Sequence, residues 1–151
     1  CALRSKLNST TLASLSNKDY IKYVDKNYIE TYNVASTSTS SDKLWLLACS
    51  EIWNNGYTTG AYGYAITNES TLYSSSDTQT QYKYYLDKLG SITFSSSTDI
   101  TKKPSTASPS YWWLRSPSCG GSYNFCGVDT SGSCDTHTAS YSYGVAPGFS
   151  I

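Results

Sequence analysis

Apolar residues along this chain fall in short blocks between long polar stretches, and the period changes from block to block. In residues 14–33 (SLSNKDYIKYVDKNYIETYN), Tyr20, Ile21, Val24, Tyr28 and Ile29 recur at helical spacing, and Ser16 or Asn17 suits the cap of a helix starting near Lys18. Residues 34–41 are Ser/Thr-rich with neither period, which predicts a linker. The continuous run Leu44-Trp45-Leu46-Leu47-Ala48 predicts a short buried strand. Ser50, Glu51, Ile52 and Trp53 predict a capped helical turn that Asn54-Asn55-Gly56 ends. A second amphipathic helix is predicted over residues 79–89 (QTQYKYYLDKL), stopped by Gly90, and residues 91–110 read as a long Ser/Thr/Pro-rich surface loop. Three short segments, residues 112–114, 125–128 and 144–146, predict strands of one small antiparallel sheet. Two helices flanking a small, loop-rich sheet make the expected class α+β. At 151 residues the chain suits a single core. The expected organisation is an N-terminal helix and linker over residues 1–41, followed by one domain over residues 42–151.

Composition sharpens this picture mainly at the C-terminal end. The last 34 residues, 118–151, contain no Lys, Glu, Gln, Trp or Met, whereas the 117 before them hold nine Lys, three Glu, two Gln and four Trp. At that density the tail would hold about five such residues. The five absent types are those that no codon ending in a pyrimidine encodes. AAC or AAT codons whose adenines have been randomised would give the palette found here. The plain alternative is a Gly/Ser/Tyr-rich loop region that is short of charge.

The segments framing the tail are specific. YWWLRSP (111–117), FCGV (125–128) and GVAPGFSI (144–151), together with DKLWLLACSEIW (42–53), resemble a bacterial and phage domain family with a C-type lectin-like fold. Several members of that family are the variable proteins of diversity-generating retroelements. The resemblance spans roughly residues 42–151. It implies that mutagenic reverse transcription has randomised a variable region of about residues 118–143. Variable side chains would then collect on one ligand-binding face, with Phe125, Val128, Ala139 and Val145 buried beneath them. The implied ligand-binding set is Cys119, Ser122, Tyr123, Asn124, Gly127, Asp129, Thr130, Ser131, Ser133, Asp135, Thr136, His137, Thr138, Ser140, Tyr141, Ser142 and Tyr143. The implied activity is binding without catalysis. The partner would be a protein or glycan ligand on a cell surface, met by part of a longer protein held outside the cell, on a virion or a bacterial surface. One alternative is a fixed-sequence adhesive or structural domain of the same fold. A lesser one is a formylglycine-generating-type oxidase, which shares the broad fold; Cys119, Cys126 and Cys134 do not match its defined cysteine pair.

The chemistry of the residues points toward binding too. Tyr, Ser, Gly and Asn are favoured in antibody-like paratopes, and Ser122, Tyr123, Asn124, Tyr141, Ser142 and Tyr143 match that palette. With 15 tyrosines in the chain, Tyr alone decides nothing; its alternation with fixed positions such as Gly132 and Gly144 favours a paratope. His137 is the single histidine, and neither Asp135 nor any Cys gives it a nucleophile–base arrangement, so no catalytic residue is expected. Zero net charge and no basic run beyond Lys102-Lys103 argue against a nucleic-acid partner. The absence of an apolar stretch of about 18 residues argues against membrane insertion.

No cofactor or metal is expected. The five cysteines, Cys1, Cys49, Cys119, Cys126 and Cys134, show neither a CxxC pair nor zinc spacing, and an odd number argues against a disulfide framework. Asp129 and Asp135 offer too few oxygens for calcium. Cys126 reads as a small buried hydrophobe, Cys119 and Cys134 as chance residues at free positions. Arg115 reads as a structural arginine holding carbonyls or a carboxylate, with anion binding the lesser reading. Trp112 and Trp113 point to opposite sides of a strand, so at most one is expected at the surface.

Overall fold

Ala2, Leu3, Arg4 and Lys6 are strong helix formers, and the chain opens as helix α1 (Ala2–Lys6), which runs on into a π-helical turn, Leu7–Thr11. These come from a computed structural model that describes residues 2–29, 37–53, 81–89, 97–103, 107–118 and 122–151. Leu7 is buried with Ile21 and Leu44 in a small apolar cluster. Two polar clips hold the segment in place. Arg4 Nε donates to Asp42 at 2.7 Å. Asn8 imitates a strand edge: its Oδ1 accepts from the Lys43 and Leu44 N–H groups at 2.9 and 3.0 Å, and its Nδ2 donates to the Leu44 carbonyl at 2.8 Å.

The helix expected near Lys18 does not form. A single 3-10 turn, Lys18–Tyr20, gives way to strand β1, Val24–Ile29. Val, Tyr and Ile are better strand than helix formers once a pairing partner exists. That partner is the stretch expected to be a linker: β2, Thr37–Asp42, pairs antiparallel with β1 from Val24↔Asp42 to Ile29↔Thr37. β2 contributes backbone hydrogen bonds more than apolar burial, so no hydrophobic period announces it.

The apolar run 44–48 yields only a two-residue strand, β3 (Trp45–Leu46), but Leu44, Trp45, Leu47 and Ala48 are all buried. Helix α2 (Cys49–Trp53) follows, beginning one residue before Ser50. Glu51 reaches back to accept from the Ala48 N–H at 2.8 Å, half of a capping box. The expected stop at Asn54-Asn55-Gly56 lies outside the described residues, as do Gln79 and Gly90. Within residues 79–89 the described helix is α3, Lys83–Leu89, which buries Tyr85 and Leu89. The expected surface loop is anchored at a 3-10 turn, Thr98–Ile100, where Ile100 is fully buried.

Four strands form the largest sheet, in the order β6-β5-β4-β7: β4 Trp112–Pro117, β5 Asn124–Val128, β6 Cys134–Thr138 and β7 Gly144–Val145. β5 is antiparallel to both neighbours, but β7 lies parallel to β4, which corrects the expectation of a wholly antiparallel sheet. β6 (CDTHT) was not expected; its polar sequence carries no apolar alternation. A short strand β8 (Pro147–Gly148) pairs antiparallel with β3. On the inner face Trp112, Leu114, Cys126, Val128 and Cys134 join Ile52, Trp53, Leu89 and Ile100 in the main core. The fold is α+β, with small sheets and short helices.

Candidate functional site

A buried ionic network ties the four-stranded sheet to its neighbouring elements. Arg115 leaves β4 and grips Glu51 with two prongs, Nη1 to Oε2 at 2.7 Å and Nη2 to Oε1 at 3.0 Å. The same guanidinium donates to the carbonyls of Leu46 (2.7 Å) and Asn27 (3.1 Å), tying β4 to β3, β1 and α2. Arg115 is thus structural. The Tyr82 hydroxyl donates to Glu51 at 2.7 Å, and the Lys26 ammonium lies 3.4 Å from the same carboxylate. Burial by itself would raise the Glu51 pKa, but Arg115 and then Lys26 hold it below the ordinary carboxylate value. Burial, reinforced by Glu51, pushes the Tyr82 phenol up and keeps it a donor. The sequence reading singled out only Arg115 of this network and missed Glu51, Lys26 and Tyr82; for Glu51 the signal available was that a buried Arg115 needs a carboxylate.

Strand alternation divides the tail between two faces. β5 and β6 pair in register, with Phe125 opposite His137 and Gly127 opposite Asp135 on the outer face. Cys126, Val128 and Cys134 face the core, and by the same parity Asn124, Thr136 and Thr138 share that inner side. The expected single face therefore forms from only part of the set. Tyr123, Asp135, His137 and Tyr143 lie on the outer face, with Ser122, Ser140, Tyr141 and Ser142 exposed at the same end of the hairpin. Asp129, Thr130, Ser131 and Ser133 form the connecting turn at the opposite end, roughly 13 Å away at the usual rise per residue. Cys119 lies outside the described residues.

Two of these positions have structural duties. A side chain at Gly127 would bring its Cβ to 3.0 Å from the Trp112 carbonyl. The Asp129 carboxylate accepts from the Ser131 N–H, the Ser131 hydroxyl and the Ser133 N–H at 2.7, 2.7 and 2.9 Å. Of the expected anchors, only Val128 is fully buried. Phe125 (37% exposed), Val145 (39%) and Ala139 are exposed instead, because strand parity puts Phe125 and Val145 on the outer face.

The outer face is an aromatic layer. Tyr111 and Tyr143 stack at 4.9 Å, and Tyr143 stacks in turn on Tyr141 at 5.6 Å with planes 8° apart. His137 sets its edge against all three rings at 4.9–5.7 Å. Trp113 lies under Tyr143 at 4.9 Å and is only 8% exposed. Trp112, on the inner side, is 1% exposed, so both tryptophans are buried. Asp135 Oδ2 comes within 3.1 Å of His137 Nε2, although the geometry falls short of a hydrogen bond. The phenol of Tyr143 is raised by desolvation and by its Tyr111 and Tyr141 neighbours, and stays a neutral donor. Such a layer can stack rings and exchange hydrogen bonds. Around His137 the described ring neighbours are aromatic, which does not make a nucleophile–base pair. Tyr111 was missed by the sequence reading, although its period-two relation to Trp113 was available.

Two further groupings lie elsewhere. A cleft of about 570 Å³ is lined by residues that include Lys26, Trp45, Tyr82, Lys102 and Pro147, and by none of the expected ligand-binding set. Burial lowers the Lys102 pKa there. Inside the core, the Sγ atoms of Cys49, Cys126 and Cys134 lie within 4.8 Å of one another. Cys126 is buried as expected, but Cys134 is a core residue, which corrects its reading as a chance side chain at a free position. Burial pushes the thiols of Cys49 and Cys126 well up.

Among the described residues no helix is long and apolar enough to cross a membrane. The family match covers residues 1–151, the whole chain, and its description reads domain of unknown function (DUF6273). No curated protein and no solved structure shows a significant match.

Proposed function

We propose that this chain, a member of the DUF6273 family, is a ligand-binding domain with a C-type lectin-like fold, whose outer sheet face is the binding surface. The observation that carries the reading is the contiguous layer Tyr111, Trp113, His137, Tyr141 and Tyr143, flanked by exposed Tyr123 (64%) and bordered by Asp135. Stacked tyrosines give large contact area at small entropic cost, and neighbouring Ser122, Ser140 and Ser142 supply adaptable hydroxyls. The ligand is a protein or glycan presented on a cell surface, met outside the cell by a virion or bacterial protein of which this domain is part.

The bias of the tail against Lys, Glu, Gln, Trp and Met supports diversification by adenine-directed mutagenesis. The positions that supply the repertoire are then the exposed ones near Tyr123 and residues 140–143, together with Asp135 and His137. Gly127, Asp129 and Cys134 hold the hairpin itself. Sequencing the DNA around the encoding gene tests diversification. A nearby repeat matching the tail except at adenines supports it, and its absence leaves a fixed-sequence adhesive domain that uses the same face. Binding to arrayed glycans and surface proteins tests the site, since loss of Tyr141 and Tyr143 must abolish or redirect recognition.

A further inference from the structure

We infer that Cys49, Cys126 and Cys134 form a binding site for a soft monovalent metal ion, with cuprous copper the fitting chemistry. Three separate elements deliver the sulfurs. Cys49 opens α2, where its N–H donates to the Ser116 hydroxyl of β4 at 2.8 Å, fixing the start of the helix over the sheet. Cys126 and Cys134 come from the inner faces of adjacent β5 and β6. The Cys49 and Cys134 sulfurs are 4.0 Å apart, and all three lie within 4.8 Å. With metal–sulfur bonds of about 2.3 Å, three sulfurs coplanar with an ion sit about 4.0 Å apart, so small rotamer adjustments bring the trio to that geometry.

Ligand number and burial then select the ion. Among the described residues no fourth Cys, His, Asp or Glu joins the group, whereas a structural zinc site takes four protein ligands. Cys49 and Cys126 are fully buried and Cys134 is 5% exposed, so water has little access as a further ligand. Thiolate-only ligation with a low coordination number suits cuprous copper. Each thiol that binds as thiolate releases its proton to solvent. The ion would tie α2 to the two strands that carry Phe125, Asp135 and His137 on their other side. This inference does not depend on the ligand-binding reading.

The test uses the full chain with Cys1→Ser and Cys119→Ser, which leaves only the three core cysteines of the five. Copper(I), delivered anaerobically as its acetonitrile complex, is competed against bicinchoninate. The expected result is retention of about one ion per chain, with X-ray absorption showing sulfur neighbours alone at about 2.3 Å. Adding Cys134→Ala, at the least buried of the three positions, should weaken retention by more than about tenfold. Near-ultraviolet circular dichroism checks that this variant is folded; if it is not, the X-ray absorption spectrum decides. No retained copper, nitrogen or oxygen neighbours, or unchanged retention in folded Cys134→Ala overturns the site.

Discussion

A carboxylate removed from water persists as an anion only where cations and donors replace its hydration, and Glu51 shows what that requires. It is fully buried, gripped by Arg115 through two bonds and approached by Lys26 and the Tyr82 hydroxyl. Glu51→Gln keeps the shape but leaves two buried cations without this counter-charge, and should cost about 3–5 kcal/mol in denaturant unfolding near neutral pH. The folded pKa lies below the ordinary value of 4.5, so the unfolded chain binds the proton more tightly. This stabilisation is complete above the unfolded pKa and is lost as pH falls through the folded one. Unfolding measured at successive pH values should show stability declining on acidification below 4.5, with a smaller decline in Glu51→Gln. An unchanged slope would mean that Glu51 does not titrate as described. The aromatic residues separate in the same way by burial. Trp113→Ala should cost roughly 3–5 kcal/mol, whereas Phe125→Ala, at a position 37% exposed, should cost clearly less.

Legibility at the scale of elements followed from what each one buries. Helix α2 and the core strands β4 and β5 were readable because Ile52, Trp53, Trp112, Leu114 and Val128 put an apolar pattern into the sequence. β2 and β6 were not, since each is held largely by backbone pairing and has a Ser/Thr-rich or polar sequence. The 20–29 segment misled because Tyr20, Ile21, Val24, Tyr28 and Ile29 satisfy a helical period while only tertiary pairing favours the strand. The candidate site was half legible. Tyr123, His137, Tyr141 and Tyr143 follow from the tail's composition, but strand parity turned Asn124, Thr136 and Thr138 inward, and that parity was hidden while β6 was unrecognised. The β5–β6 turn gives an element-scale prediction. Asp129→Ala removes three hydrogen bonds that close the turn and should cost about 1–2 kcal/mol. Gly132 has φ of 82° and would drive a Cβ into the Ser97 carbonyl, so Gly132→Ala should be the more damaging change. Ser140→Ala and Ser142→Ala should stay within about 0.5 kcal/mol. Thermal melts of the four variants check the order, and equal losses at Ser140 and Asp129 would place the free end of the hairpin wrongly.

For the molecule as a whole, the division of labour between the two sides of one sheet decides how it can work. The inner side carries the core, and Arg115 locks the sheet to α2 and β1, so the outer side can change with little cost to folding. Tyr141 is 55% exposed and stacks only on the edge of the aromatic layer, while Tyr143 links it to Tyr111 and Trp113. Replacing Tyr141 and Tyr143 together with Ala removes the accessible part of that layer but leaves Trp113 and the ionic network in place. The melting temperature should therefore shift by no more than a few degrees, since about 1 kcal/mol corresponds to roughly 2–4 °C in a domain of this size. Affinity for any ligand found on the glycan or surface-protein arrays should fall by at least about 2 kcal/mol, the range of an aromatic hot spot. Among the described residues the carboxylate beside the outer layer is Asp135, which by itself is too little to hold calcium between protein and ligand, so the wild-type affinity should survive EDTA. Chelator-sensitive binding would point to a metal-bridged contact instead. Binding unaltered by the double substitution would move the site off this face, and the cleft beside Lys102 and Trp45 would be the next place to mutate.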